Sequence, residues 1–106
     1  MLFMLQVTVR KPADMTNAEF YKLWVEEAET AMGAVRAGVI KSIYKVAGEP
    51  HVIAIVEVES HDQIDHIVQS LPIWKKGYAH LVEDATWTPI RTYQSWHEQM
   101  KELAKG

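Results

Sequence analysis

The chain has 106 residues, 48% hydrophobic and 24% charged, with a net charge of −3 and no cysteine. That length and ordinary globular composition exclude intrinsic disorder as the main state, and 11 basic against 14 acidic side chains speak against a nucleic-acid partner. Without cysteine there are no disulfides, thiolate metal centres, iron–sulfur clusters or cysteine nucleophiles, which fits a cytoplasmic protein.

The first element is the β-rich run Leu2–Val9, broken by Lys11, Pro12 and Asp14. It is too short for a membrane span and lacks the basic start and small-residue cleavage site of a signal peptide. Thr16-Asn17-Ala18-Glu19 has the form of a capping box, with Met15 and Phe20 at the staple positions. A helix is therefore predicted from about Asn17 to Arg36, with Gly38 just beyond its end. Val39–Val46 reads as a second strand and Gly48-Glu49-Pro50 as a turn. The third strand, His51–Val58, is apolar on both faces, so both faces of its sheet are expected to be covered.

Ser60-His61-Asp62-Gln63 is a second capping box, opening a helix striped by Ile64, Ile67, Val68 and Leu71 and stopped by Pro72. Tyr78–Trp87 is predicted as the fourth strand, and Ser95–Lys105 as a short amphipathic helix with Trp96, Met100 and Leu103 on one side. The order β-α-β-β-α-β plus a terminal helix describes an α+β, ferredoxin-like sandwich in a single domain, residues 1–106. Two helices cover one sheet face. The other calls for a partner, and a second copy of the same sheet, packed face to face in a dimer, is the simplest one.

One residue does not fit its surroundings. On a helical wheel Phe20, Leu23, Trp24, Ala28, Ala31, Ala34 and Val35 form one stripe, and Glu27 lies in the middle of it. A carboxylate there must be paired, neutralised or placed at a cavity. Burial would raise its pKa toward the range of a general acid/base. The structural alternative is a salt bridge to Lys41, Lys45 or Arg10. Among the histidines, His61, His66 and His97 read as surface residues, whereas His51 and His80 stand near strand ends where each is either structural or cavity-lining. No spacing resembles a metal site, a phosphate loop or a serine-nucleophile elbow.

Taken together, Met1-Leu2-Phe3, Thr8-Val9, Pro12, Asp14-Met15, Glu27, Gly38, Ala47-Gly48, Ser60 and Leu71-Pro72 resemble the muconolactone Δ-isomerase family over about the first 77 residues. The resemblance implies a ferredoxin-like dimer, often assembled further into a ring-like decamer. It also implies a cofactor-free isomerase for a small lactone acid, with Glu27 at the position of the family's carboxylate. The chain departs from the family pattern at Met4 and Trp24, where the family carries His and Lys, and in the hairpin Gly48-Glu49-Pro50-His51-Val52. A less polar and more aromatic pocket is expected.

The leading expectation is thus a cofactor-independent isomerase that moves a proton and a C=C bond in a lactone or related carbonyl compound. Glu27 would shuttle the proton and His51 would polarise the carbonyl or assist as an acid. Lys41 or Lys45 would hold an anionic oxygen, and Trp24, Val52, Trp74 and His80 would contact the substrate. Two alternatives share the fold: a cofactor-free monooxygenase or cyclase for aromatic or polyketide substrates, and a non-catalytic ligand-binding module. Neither a metal nor a membrane partner is expected.

Overall fold

A computed structural model describes residues 1–106. Strands β1 (Leu2–Val9), β2 (Ile40–Lys45), β3 (His51–Glu57) and β4 (Val82–Ile90) form one antiparallel sheet in the order β2-β3-β1-β4. Helix α1 (Asn17–Arg36) connects β1 to β2. Helix α2 (His61–Ser70), the four-residue α3 (Pro72–Lys75) and a 3₁₀ turn (Ala79–Leu81) connect β3 to β4. Helix α4 (Tyr93–Leu103) follows the last strand. The α+β, ferredoxin-like order expected from the sequence is present.

The caps explain where the helices start. Thr16 Oγ1 accepts the Glu19 N–H while the Glu19 carboxylate accepts the Thr16 N–H, a complete capping box. Ser60 caps α2 by accepting the Gln63 N–H, but the Gln63 amide oxygen takes the N–H of Glu59 rather than that of Ser60. Leu71, the residue before Pro72, is extended (φ −70°, ψ 137°), which ends α2. Pro72 then occupies the first turn of α3, where its missing N–H costs nothing, so the same residue both stops one helix and starts another.

Two limits differ from the sequence reading. Strand β4 starts at Val82 and runs to Ile90, because Tyr78–Leu81 turns before it; Glu83 and Asp84 lie within the strand. Pro89 is tolerated because β4 is an edge strand paired only with β1. Helix α4 starts two residues early because Thr92 accepts the Ser95 N–H at 3.1 Å.

Strand alternation sorts the sheet into two faces. Phe3, Leu5 and Val7 of β1 stand opposite Val56, Ala54 and Val52 of β3 and point toward the helices. Met4, Gln6 and Thr8, with Ile55, Ile53 and His51, occupy the other face, which no helix of the chain covers. Two apolar clusters hold the covered side together. One joins Met15, Phe20, Leu23, Ile73 and Leu81; the other joins Phe3, Ala54, Val56 and Val58. Only nine of 106 residues are buried, and the radius of gyration is 16.7 Å against roughly 13 Å for a compact chain of this length. The open face and the exposed α4 account for that spread. No helix is long and apolar enough to cross a membrane.

Candidate active site

The site is built from the inner stripe of α1. Phe20 and Leu23 anchor the helix in the first cluster, and Trp24 stands edge-on to Phe20 at 5.5 Å between ring centroids. One turn further, Glu27 is half-buried. Its Oε1 accepts the backbone N–H of Ile73, in the first turn of α3. Leu71 stands at the N-cap of that helix and its side chain cannot cap, so the Glu27 carboxylate serves as the cap from another element. The preceding acid, Glu26, pairs with Lys76 just past the end of α3. Consecutive acids of α1 thereby fasten both ends of α3.

No side-chain N or O atom of this protein is both buried and unpartnered. The carboxylate oxygen of Glu27 that Ile73 leaves free is therefore accessible. Burial pushes the Glu27 carboxyl above the ordinary glutamate range; the Ile73 amide pulls it partly back, and the neighbouring charge of Glu26 adds a smaller push upward. A carboxylate tuned in this direction holds its proton closer to neutral pH, as proton transfer to and from carbon requires.

Glu27 borders a cavity of about 520 Å³ between the two apolar clusters. The sheet supplies Leu5, Val7, Val52 and Ala54, and α1 supplies Trp24 and Ala31. Ile67 of α2, Leu71, and Trp74 of α3 line the opposite side. Of 28 lining residues 24 are hydrophobic, and Glu27 and Lys45 are the two that carry charge. The walls can therefore hold a flat apolar body while one carboxylate meets it from α1. No three His, Asp or Glu side chains converge as a metal-ligand group.

The structure brings together five of the residues singled out from the sequence: Glu27, Trp24, Val52, Trp74 and Lys45. Lys45 lies at the rim, its exposed ammonium donating to the Val46 carbonyl at 3.1 Å. Three others are placed elsewhere. His51 is on the uncovered face of the sheet, because its neighbour Val52 faces the cavity and adjacent strand residues point oppositely. There its Nδ1 meets Thr8 Oγ1 at 2.8 Å and its Nε2 meets Gln6 Oε1 at 3.3 Å. Lys41 sits at an irregularity in the β2–β3 register, exposed and outside the cavity lining. His80 is exposed on the 3₁₀ turn before β4, its ring 6.2 Å from that of Tyr78.

The salt-bridge alternative for Glu27 is not what the structure holds. Arg10 is bound to Glu83 at 2.6 Å, and neither Lys41 nor Lys45 pairs with Glu27. Its partner is a backbone amide, which no pairing of charged side chains could reveal. The signal for it was Leu71-Pro72: a proline in a first turn preceded by a residue with no capping side chain needs an acceptor from elsewhere.

A family model described as muconolactone delta-isomerase matches residues 1–95. The muconolactone Δ-isomerase of Cupriavidus pinatubonensis (strain JMP 134) is 28% identical over 95 residues, 90% of this chain and 97% of the relative. A crystal structure of muconolactone isomerase superposes with a TM-score of 0.70 at 24% identity, covering 88% of this chain and 92% of that one. The 5-chloro-2-hydroxyhydroquinone dehydrochlorinase of Burkholderia phenoliruptrix, in complex with 2,5-dihydroxybenzoquinone, superposes with a TM-score of 0.53 at 17% identity, covering 90% and 98%. The two solved structures share the fold.

Proposed function

Because the chain belongs to the muconolactone Δ-isomerase family, we propose that the Glu27 cavity is the seat of a cofactor-independent isomerisation of an unsaturated lactone or related carbonyl compound. Glu27 takes a proton from the carbon that the conjugated system acidifies. The electrons of that C–H bond move into the conjugated system, and the carbonyl oxygen carries the resulting charge. The same carboxyl then returns the proton at another carbon, leaving the C=C bond shifted. Nothing is oxidised or reduced, and a single base suffices.

The observation that supports this reading best is the geometry of Glu27 itself. One oxygen is held by the Ile73 amide, the other is accessible, and burial raises the pKa within an apolar cavity. The amide bond steadies the base in both halves of the transfer. Lys45 at the rim offers the one cation of the lining to a carboxylate or enolate oxygen of the substrate. His51 takes no part in this chain's cavity under this reading.

The apolar lining and the 520 Å³ volume, within the range of pockets that enclose drug-sized ligands, suit a larger and less polar substrate than a small lactone acid. The uncovered sheet face, with Met4, Ile53 and Ile55 in its middle, suits a second copy of the same sheet. A homodimer packed through these faces is the assembly we propose.

The test is proton NMR of muconolactone, and of larger unsaturated lactones, incubated in D₂O with the wild-type protein and with Glu27→Gln. Bond migration or deuterium wash-in with the first and not the second supports the reading. Equal turnover by both proteins removes Glu27 from the mechanism.

A second reading keeps the cavity and changes the reaction to cofactor-free oxygenation or cyclisation of an aromatic or polyketide substrate. The aromatic lining of Phe20, Trp24, Trp74 and Trp87 favours it. Oxygen consumption with an added quinol separates the two. The non-catalytic binding module fares worse, because a merely paired carboxylate is expected below its ordinary pKa, and the direction here is upward.

A further inference from the structure

We propose that Lys76 is a positioning residue for the reaction at Glu27: through its pair with Glu26 it fixes the direction of α3 and so holds the Ile73 amide on the carboxylate that moves the proton. This rests on the role proposed for Glu27.

Helix α3 cannot keep its place unaided. Its four residues span about 6 Å and make a single turn, too short to be stable alone. Leu71 before it is extended, and Gly77 after it has a φ of 81°, the left-handed region that favours glycine, so the chain changes course at both ends. The first fixed point of α3 is Ile73. Its side chain is buried with Phe20, Leu23 and Leu81, and its N–H donates to Glu27 Oε1. One point fixes a position and leaves a direction open. Turned about Ile73, α3 would keep its apolar anchor while the N–H swung off the carboxylate, and a hydrogen bond weakens steeply as it departs from linearity.

The second fixed point is Lys76, at the C-cap of α3, whose ammonium donates to Glu26 Oε2. Glu26 and Glu27 are consecutive on α1, and their side chains diverge by about 100° around it. One therefore reaches the start of α3 and the other its end. Two points define the direction of an axis. Trp74 lies between them and lines the cavity, so the same direction sets an aromatic wall of the site.

The charges around the site agree. The titratable neighbours of Glu27 are Glu26 on its own helix, Lys75 and Lys76 from α3, and Tyr44 and Lys45 from β2. Lys75 and Lys45 are exposed, and of the three cations Lys76 alone pairs with an acid. That pair offsets the Glu26 charge, which pushes the Glu27 carboxyl upward, while the Ile73 amide pulls it down. Loss of Lys76 thus acts twice in one direction: it bares Glu26 and it frees the amide. The pair contributes little to folding, because the Lys76 and Glu26 side chains are 52% and 34% exposed. What it governs is position.

The test joins amide exchange by NMR to pH–rate profiles on the full chain. In Lys76→Met the Ile73 amide is expected to exchange at least about tenfold faster, while Ala54 and Val56 in β3 keep their rates. Turnover is expected to fall by about 10–100-fold, with the rising limb of its pH profile moved to higher pH. Lys76→Arg keeps a cation within reach of Glu26 and is expected to restore both readouts. Glu26→Met removes the pair and the neighbouring charge together. Positioning predicts faster Ile73 exchange there too; unchanged exchange with the limb moved to lower pH marks a pure charge effect and overturns the proposal. Wild-type Ile73 exchange in Lys76→Met overturns it as well, as does a loss of protection spread equally over β3. Faster Ile73 exchange with an unaltered pH profile breaks the link between the contact and the reaction. If the wild-type protein turns over no lactone, the proposed function falls, and exchange alone decides whether Lys76 holds the contact between Glu27 and Ile73.

Discussion

The two faces of the sheet come from the same four strands and differ in nearly every property. Toward the helices, Leu5, Val7, Val52 and Ala54 wall an apolar cavity into which α1 introduces a single carboxylate. Away from them, Thr8 stands between His51 and Asp84 in register, with Gln6 one step further along β1 and Met4, Ile53 and Ile55 beyond it. Val52 and His51 are neighbours in the chain and belong to different surfaces. Closeness in sequence therefore says little about who shares a site on a strand; the two-residue period decides it. Under the proposed function, chemistry belongs to the covered face and assembly to the open one.

The strongest way to break that division is Glu27→Gln. The amide still accepts the Ile73 N–H and still fits the cavity, but it cannot exchange a proton. Turnover should fall by about 10²–10⁴-fold with the fold retained, measured by NMR or absorbance and checked by circular dichroism. An assembly variant should do the reverse. Ile53→Asp with Ile55→Asp places two charges in the middle of the open face and is expected to give a monomer in sedimentation velocity, while circular dichroism stays that of a folded chain.

A smaller effect is expected from His51→Ala, which loses the contacts to Thr8 and Gln6. Chemical denaturation should show a loss of about 1 kcal/mol, with turnover close to wild type. A hundred-fold drop in turnover would instead return His51 to the site and dissolve the division between faces. The finest test uses pH. The folded chain holds the Glu27 proton more tightly than the unfolded chain does. Its contribution to stability is thus full below the ordinary glutamate value near ~4.3 and is lost as pH rises through the raised pKa. The melting temperature of wild type relative to Glu27→Gln should fall across that window, and turnover should climb across the same window as the base ionises.

Much of this was legible in the chain. The capping residues Thr16 and Ser60, the staple around Phe20 and the two-faced apolar pattern of His51–Val58 led to the element order and to an uncovered sheet face. Glu27 stood out because a helix wheel is a local rule and α1 obeys it. The misplacements have a common cause: they depended on backbone path rather than residue type. His51 was assigned to the cavity although the alternation that puts Val52 there excludes it. Lys41 falls where the register shifts between Ile40 and Ser42, so its direction is set by an irregularity that no period describes. His80 was read on a strand, and a 3₁₀ turn carries it into solvent. The Ile73 amide was out of reach because every residue has one; only the fold selects which amide meets an acid 46 positions away.

Arg91 gathers the root of α4 from outside the helix. It donates to Gln99 Oε1 at 2.7 Å and to Ser95 Oγ at 2.8 Å, and its guanidinium lies 5.7 Å from the centre of the Trp96 ring. A terminal helix with almost no buried side chain has little else to hold its first turns. Loss of Arg91 would thus be felt first as faster amide exchange along Ser95–Gln99, before it is felt in the stability of the sheet.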